Sequence, residues 1–276
     1  MIDNKTQLNL VIGHPLTHSK SPILHNMIYN MMHCNTVMLA HETQDLEKSI
    51  AAIKAFRVGL TAVTMPHKSN IVSYLDQVSD EVKELQVANT IINRHGMLSG
   101  YNTDIDGIAH ALRHTSLSSK NVLMIGAGGA SHAAGWYLRK NNANLIWLNR
   151  TEEKARALQS LFGGSIADKK QLHTMQIDII INTTPIGMFP ETSHSPLPDY
   201  PFRSDQVVFD MVYNPVETRL LKDAKQHGAI CISGLDMFIG QGLKQIELWL
   251  EKKIMTENIL EMAKAELLKS KMREIL

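Results

Sequence analysis

Short apolar runs alternate with longer amphipathic stretches along most of this chain. Residues 8–12, 37–40 and 60–63 are apolar runs too short for helices and read as strands. Between them, the stretch that begins at Ser21-Pro22 and the stretch 46–56 carry apolar residues at helical spacing. Ser21 is expected to cap the first of these helices, with Pro22 in its first turn. Thr64 to Lys68 reads as a strand-to-helix turn, followed by helical pieces to about residue 85. Residues 89–93 and 97–101 then read as a hairpin around His95-Gly96, and a helix over 105–113 follows, which would join two domains.

The alternation resumes with strand 122–125, which breaks into Gly126, Gly128 and Gly129 before a helix closed by Asn141 and Asn142. A second apolar run, 145–148, completes a unit of strand, crossover helix and parallel strand. Beyond it the pattern predicts a helix from Thr151 to Phe162 and strands at 178–181, 207–209 and 229–232. Asn214-Pro215 is expected to cap a helix running to Gly228, and the chain should be helical from about 237 to its end. Residues 189–202 hold four prolines and read as a surface loop. The fold expected is α/β: a Rossmann-type doubly wound nucleotide-binding domain over 104–236, plus a smaller α/β substrate-binding and catalytic domain over 1–103. Residues 237–276 would complete the latter, their helices folding back onto it.

The glycine turn suits a dinucleotide, because the first N–H groups of a helix lack partners and the dipole there favours phosphate. Gly126, Ala127, Gly128, Gly129 and Ala130 are the residues expected to hold it, although Ser131 stands where the G-x-G-x-x-G pattern has its third glycine. The second strand ends in Asn149, Arg150 and Thr151, with Lys154 after them. An NAD site carries an acid at this point for the ribose hydroxyl, whereas a guanidinium meets the 2′-phosphate of NADP. The cofactor expected is therefore NADP.

Composition narrows the classes without choosing among them. At 276 residues the length allows two modest domains, and a formal net charge of +1 without long charged runs gives no sign of a nucleic-acid or membrane partner. Cys34 and Cys231 form neither a disulfide framework nor a zinc spacing, so a cytoplasmic protein is expected. No apolar run approaches the roughly 20 residues of a membrane helix. His14, His18, His25 and His33 cluster in sequence at spacings that match no metal site, and the fifteen methionines read as core filler. A small-molecule substrate, no metal, and a monomer or homodimer are expected.

In open α/β sheets ligands gather beyond the carboxyl ends of strands. The turns at such ends include 13–21, 64–68, 100–104 and 182–184, with Tyr213 and the segment from Gly234 to Gln241. A hydride transfer also needs a group to handle the proton of the alcohol, and Lys68 with Asp104 is the pair best suited to it.

The motifs Gly13-His14-Pro15, His18-Ser19-Lys20-Ser21-Pro22, Val63-Thr64-Met65-Pro66-His67-Lys68, Ala88-Asn89-Thr90, Asn102-Thr103-Asp104, Gly126-Ala127-Gly128-Gly129-Ala130, Asn149-Arg150-Thr151 and Gly234-Leu235 with Gln241 span nearly the whole chain. In this order they resemble the shikimate dehydrogenase family. The resemblance implies reversible, NADP-dependent reduction of 3-dehydroshikimate to shikimate in aromatic amino-acid biosynthesis. It also implies that Ser19, Ser21 and Tyr213 serve the substrate carboxylate. Thr64, Asn89 and Gln241 would bind the ring hydroxyls, Lys68 and Asp104 would be catalytic, and Thr183, Met211 and Gly234 would join the cofactor site. Ala62 departs from the asparagine the family usually carries there, which leaves a quinate or aminoshikimate dehydrogenase as an alternative. A non-catalytic NADP-binding regulator is a more distant one.

Overall fold

The structure is a computed structural model, which describes residues 2–17 and 19–274. The chain forms two compact units, one made of the chain up to Gly107 together with the part from Ile239 onward, the other Ile108–Phe238. The segment up to Gly107 is shorter than the second unit, and the C-terminal helices make up the difference.

In chain order the first unit begins with β1 (Gln7–Gly13), α1 (Ser21–Met31), β2 (Thr36–Glu42), α2 (Leu46–Ala55) and β3 (Leu60–Val63). A 3₁₀ turn (Asn70–Tyr74), β4 (Gln77–Val78), α3 (Asp80–Leu85), β5 (Thr90–Arg94), β6 (Met97–Tyr101) and the start of α4 (Asp104–Ala111) follow. The strands lie in the order β2-β1-β3-β5-β6-β4. β1 runs parallel to β2 and β3, while β5 is antiparallel to β3 and β6, as the hairpin around His95-Gly96 requires. Ile12, Val63, Ile91 and Leu98 pack on Ile50 and Ile53 of α2, so the periodic apolar positions become one buried layer. The side chain of Asp45 caps α2 by accepting from Lys48 N at 3.0 Å. Ser21 is not the cap of α1: it is the first helical residue, and the cap position falls on Lys20, with no side-chain cap bond.

The second unit holds β7 (Asn121–Ile125), α5 (Gly129–Lys140), β8 (Asn144–Leu148), α6 (Glu152–Phe162), β9 (Ser165–Ile166), β10 (Ile179–Asn182), β11 (Val207–Asp210), α7 (Arg219–Gln226) and β12 (Ile230–Ser233). All its strands are parallel, in the order β12-β11-β10-β7-β8-β9. The order reverses between β7 and β10, the crevice where an open α/β sheet takes its ligand. The helix expected at Asn214-Pro215 starts later, because Thr218 is its cap and accepts from Leu221 N at 3.3 Å. β4 and β9, two residues each, are too short to show a period in sequence.

The chain returns to the first unit within α8 (Gly234–Leu250) and ends in α9 (Glu257–Glu274). Gly242 lets α8 press on α1, since a Cβ there would lie 2.5 Å from Leu24 Cδ2, and α9 also packs on α1. The terminal segment is not one continuous helix: Glu251 takes a positive φ of 53°, and Glu247 Oε1 accepts from Ile254 N and Met255 N at 2.8 and 3.0 Å. Among the described residues, no helix is long and apolar enough to cross a membrane.

Candidate active site

Two turns at neighbouring strand ends build the candidate site of the first unit. Thr64 N donates to Ile12 O and His14 N to Met65 O, both at 2.9 Å. A side chain at Gly13 would strike Thr64 Cγ2 and Met65 O, so glycine is what lets the turns after β1 and β3 meet. His67, buried beside Lys68, is held by Thr43 O at 2.7 Å.

Lys68 Nζ donates to Asp104 Oδ2 at 2.6 Å, with side-chain exposures of 23% and 9%. Asp104 opens α4, where the helix dipole favours its carboxylate. Its other oxygen, Oδ1, accepts from Asn89 Nδ2 at 2.8 Å. Asn89 is itself fixed: its Oδ1 accepts from Thr103 N (2.8 Å), Thr103 Oγ1 (3.1 Å) and Thr90 Oγ1 (2.7 Å). The second hydrogen of the Asn89 amide has no partner among the described residues. Lys68, Asp104, Asn89 and Thr64 thus come from turns joined by hydrogen bonds, although they lie up to 40 positions apart in sequence.

Ser19, half-buried, and Ser21, buried, sit at the entry to α1, and Gln241 is buried on α8, all within the first unit. Tyr213 belongs to the second unit, stacked on Phe238 with centroids 4.7 Å apart, and burial raises its phenol pKa. His14 pairs with Glu42 at 2.9 Å, and His25 Nδ1 meets Ser21 O at 2.9 Å. Of the other histidines in that sequence cluster, His18 lies outside the described residues.

In the second unit, Gly126 ends β7 with φ +111°, and a Cβ there would lie 2.5 Å from Thr183 Oγ1 and 2.8 Å from Thr184 Cγ2. Gly128 and Gly129, in contrast, face open space. Ser131 is fully buried and fills the third-glycine position with a hydroxyl. It accepts from Gly128 N at 3.1 Å and meets Thr183 Oγ1 at 2.6 Å, so Thr183 is tied to the glycine turn across the switch point. The N–H groups of Gly129 and Ala130 stay without partners among the described residues, open to an anion. Ala127 lies between the glycines, half-buried.

Past β8, Asn149 Nδ2 donates to Thr151 O at 2.7 Å, which shapes the turn. Thr151 sits at the cap position of α6 without a side-chain cap bond, so this helix starts one residue later than expected. Arg150 and Lys154 are exposed and make no ion pair among the described residues. The first acid after Arg150, Glu152, turns to Arg156. An open glycine cradle and two uncommitted cations therefore fit NADP, which carries its additional charge on the 2′-phosphate.

Sequence reasoning placed Asn182 only within a polar strand-end turn and gave Asp210 no role; they are the last residues of β10 and β11, paired in register. Asp210 Oδ1 accepts from Asn182 Nδ2 (2.9 Å) and Val212 N (3.0 Å), and its Oδ2 accepts from Thr218 Oγ1 at 2.6 Å. Burial pushes this carboxyl up to about 6. Together they brace the turns that carry Thr183 and Met211. Gly234 closes against the same wall, because any side chain there would run into the main chain of Met211 and Val212. A polar residue ending each of two apolar strands was the signal available in the sequence.

A family model described as the shikimate dehydrogenase substrate binding domain matches residues 11–91, and one described as shikimate / quinate 5-dehydrogenase matches 108–187. The chain is 38% identical over 265 residues to a shikimate dehydrogenase (NADP(+)) of Methanococcus maripaludis strain C6, covering 92% of this chain and 95% of that one. It is 39% identical over 242 residues to a protein of the same name from Pyrococcus abyssi, covering 87% and 90%. Among solved structures, a shikimate dehydrogenase in complex with NADP+ superposes with a TM-score of 0.91 at 35% identity, covering 98% of this chain and 97% of that one. Shikimate 5-dehydrogenase from Thermus thermophilus, in complex with NADP(H) and shikimate, gives 0.85 at 30%, covering 94% and 99%. With both domain models matched in order and relatives aligned nearly end to end, the chain belongs to the shikimate dehydrogenase family.

Proposed function

We propose that Lys68 and Asp104 carry the proton chemistry of an NADP-dependent oxidoreductase that interconverts 3-dehydroshikimate and shikimate. The observation that carries this reading is the Lys68 Nζ to Asp104 Oδ2 contact of 2.6 Å, with Asn89 holding the opposite carboxylate oxygen. NADPH, when bound, supplies the hydride. Lys68 stabilises the negative charge that develops on the carbonyl oxygen and donates its proton there, and in the reverse direction it receives that proton. Asp104 keeps the ammonium in place and accepts a hydrogen bond from a ring hydroxyl. Ser19 and Ser21 present hydroxyls suited to a carboxylate, with Tyr213 assisting, while Thr64, Asn89 and Gln241 suit the hydroxyls of the ring.

On the cofactor side, Gly126, Ala127, Gly128, Gly129 and Ala130 cradle the pyrophosphate, and Asn149, Arg150, Thr151 and Lys154 hold the 2′-phosphate. Thr183, Met211 and Gly234 line the nicotinamide half. Two free cysteines, Cys34 and Cys231, suit a reducing cytoplasm.

The test is absorbance of reduced nicotinamide with NADP and either shikimate or quinate, for the parent, Lys68→Ala and Asp104→Asn. We expect shikimate to be preferred and Lys68→Ala to lower kcat at least about 100-fold with a smaller change in KM. Turnover within a few-fold of the parent would remove Lys68 from the chemistry.

A further inference from the structure

Behind the Lys68–Asp104 pair lies a buried polar chain whose far end is Gln245, 1% exposed on α8. Gln245 Nε2 donates to Thr90 Oγ1 at 3.0 Å and approaches Asn89 O at 3.4 Å. Thr90 Oγ1 lies 2.7 Å from Asn89 Oδ1, which can only accept. The single hydroxyl hydrogen of Thr90 therefore points to Asn89, and its lone pairs receive the Gln245 amide. Thr103 Oγ1, 3.1 Å from both Thr90 Oγ1 and Asn89 Oδ1, closes the ring. With Oδ1 of Asn89 so occupied, Nδ2 must face Asp104, and the chain has one direction: Gln245 to Thr90 to Asn89 to Asp104.

Gln245 also lies near a second buried group. His25, fully buried, meets the Ser21 carbonyl through Nδ1, so this nitrogen carries the hydrogen. Burial holds the ring pKa down at about 4, and Gln245 lies beside it. Gln245 Oε1 and His25 Nε2, both acceptors in this arrangement, have no hydrogen-bond partner among the described residues. Gln245 thus stands between the α1 entry that carries Ser19 and Ser21 and the strand end that carries Asn89. Ala62, directly opposite Thr90 in the β3–β5 pairing, brings no polar group to compete for the Thr90 hydroxyl.

We propose that Gln245 is a positioning residue for the reaction: it fixes the Thr90 hydroxyl, and through it the orientation of the Asn89 amide that holds the Asp104 carboxylate. The proposal rests on Asp104 and Lys68 acting as described above. A correctly oriented Asn89 presents N–H to Asp104, whereas a rotated amide would present its oxygen, and two acceptors would repel. No contact of Gln245 with NADP is involved.

The experiment is steady-state kinetics of Gln245→Leu, Thr90→Val, Thr90→Ser and the Gln245→Leu/Thr90→Val double variant, beside the parent and Asp104→Asn. Gln245→Leu and Thr90→Val are each expected to lower kcat about tenfold with KM for NADP unchanged. The double variant should be no slower than the slower single one, because both break one chain. Thr90→Ser, which keeps the hydroxyl, should recover most of the turnover that Thr90→Val loses. Multiplying losses in the double variant, or an equal failure of Thr90→Ser, would overturn the proposal. So would kcat for Gln245→Leu at the parent value. If Gln245→Leu does not fold, the Thr90→Val and Thr90→Ser pair decides by itself. If Asp104→Asn retains full turnover, the roles of Asp104 and Lys68 are wrong; if it is inactive while Gln245→Leu is normal, only the positioning role is wrong.

Discussion

The glycine turn contains two glycines needed for opposite reasons, and alanine substitutions should separate them. At Gly126 a side chain meets protein. The φ of +111° alone costs an alanine about 1–3 kcal/mol. The new Cβ would also displace Thr183 Oγ1, which is held at 2.6 Å from Ser131 Oγ and at 2.8 Å from Ile125 O. Two hydrogen bonds at about 0.5–1.5 kcal/mol each bring the total to roughly 2–6 kcal/mol. At Gly128 a Cβ meets nothing, and φ −98° is open to any residue, so the fold should lose at most about 1 kcal/mol. Its methyl would instead stand in the cradle assigned to the pyrophosphate in the proposed function, and NADP and NAD should both bind at least about tenfold more weakly. Urea unfolding followed by fluorescence in a Trp249→Phe background reads the second unit alone, since Trp136 and Trp147 both belong to it. Titration with each cofactor gives the affinities. Similar stability losses in the two variants would refute the reasoning, as would normal cofactor binding by Gly128→Ala.

Arg150→Ala should weaken NADP about ten- to hundredfold, leave NAD nearly unchanged and reduce the salt dependence of NADP binding; Michaelis constants at two ionic strengths check this. Ala62→Asn places an amide opposite the Thr90 hydroxyl and should change kcat/KM for shikimate by about tenfold at most, with quinate measured in parallel to show whether ring preference moves. The raised pKa of Asp210 means that the folded protein binds this proton more tightly than the unfolded chain does. Its contribution to stability is therefore greatest below about pH 4 and is lost as pH rises to about 6, a change on the order of 3 kcal/mol. Asp210→Asn should remove that fall, so the difference in unfolding free energy between parent and variant should change across this window and stay flat above it.

Strand and helix order was legible because most elements carry a full period of apolar positions, as in 122–125 followed by the helix after Gly129. What escaped had no period to show: β4 and β9 have two residues each, and the break between α8 and α9 is made by one side chain, Glu247, reaching main-chain N–H groups. Asn214-Pro215 gave a misleading start for α7 because proline marks turns as readily as first helical positions, and Thr218 supplied the cap. Lys68 and Asp104 were legible as polar residues at strand ends. Their contact depends on the pairing of β3, β5 and β6, which a linear pattern does not contain. Gln245 was invisible for the same reason, one polar position among many on an amphipathic helix.

Ser131 has a consequence for how the protein tells its two possible coenzymes apart. By taking the hydrogen of Gly128 N, its hydroxyl withdraws one main-chain donor from the phosphate cradle and leaves Gly129 and Ala130 to supply the rest. The diphosphate is common to NAD and NADP, so this lowers the grip on both alike. The 2′-phosphate, assigned to Arg150 in the proposed function, then makes up a larger share of the total. On the proposed reading, preference for NADP comes less from repelling NAD than from a light hold on the part the two molecules share.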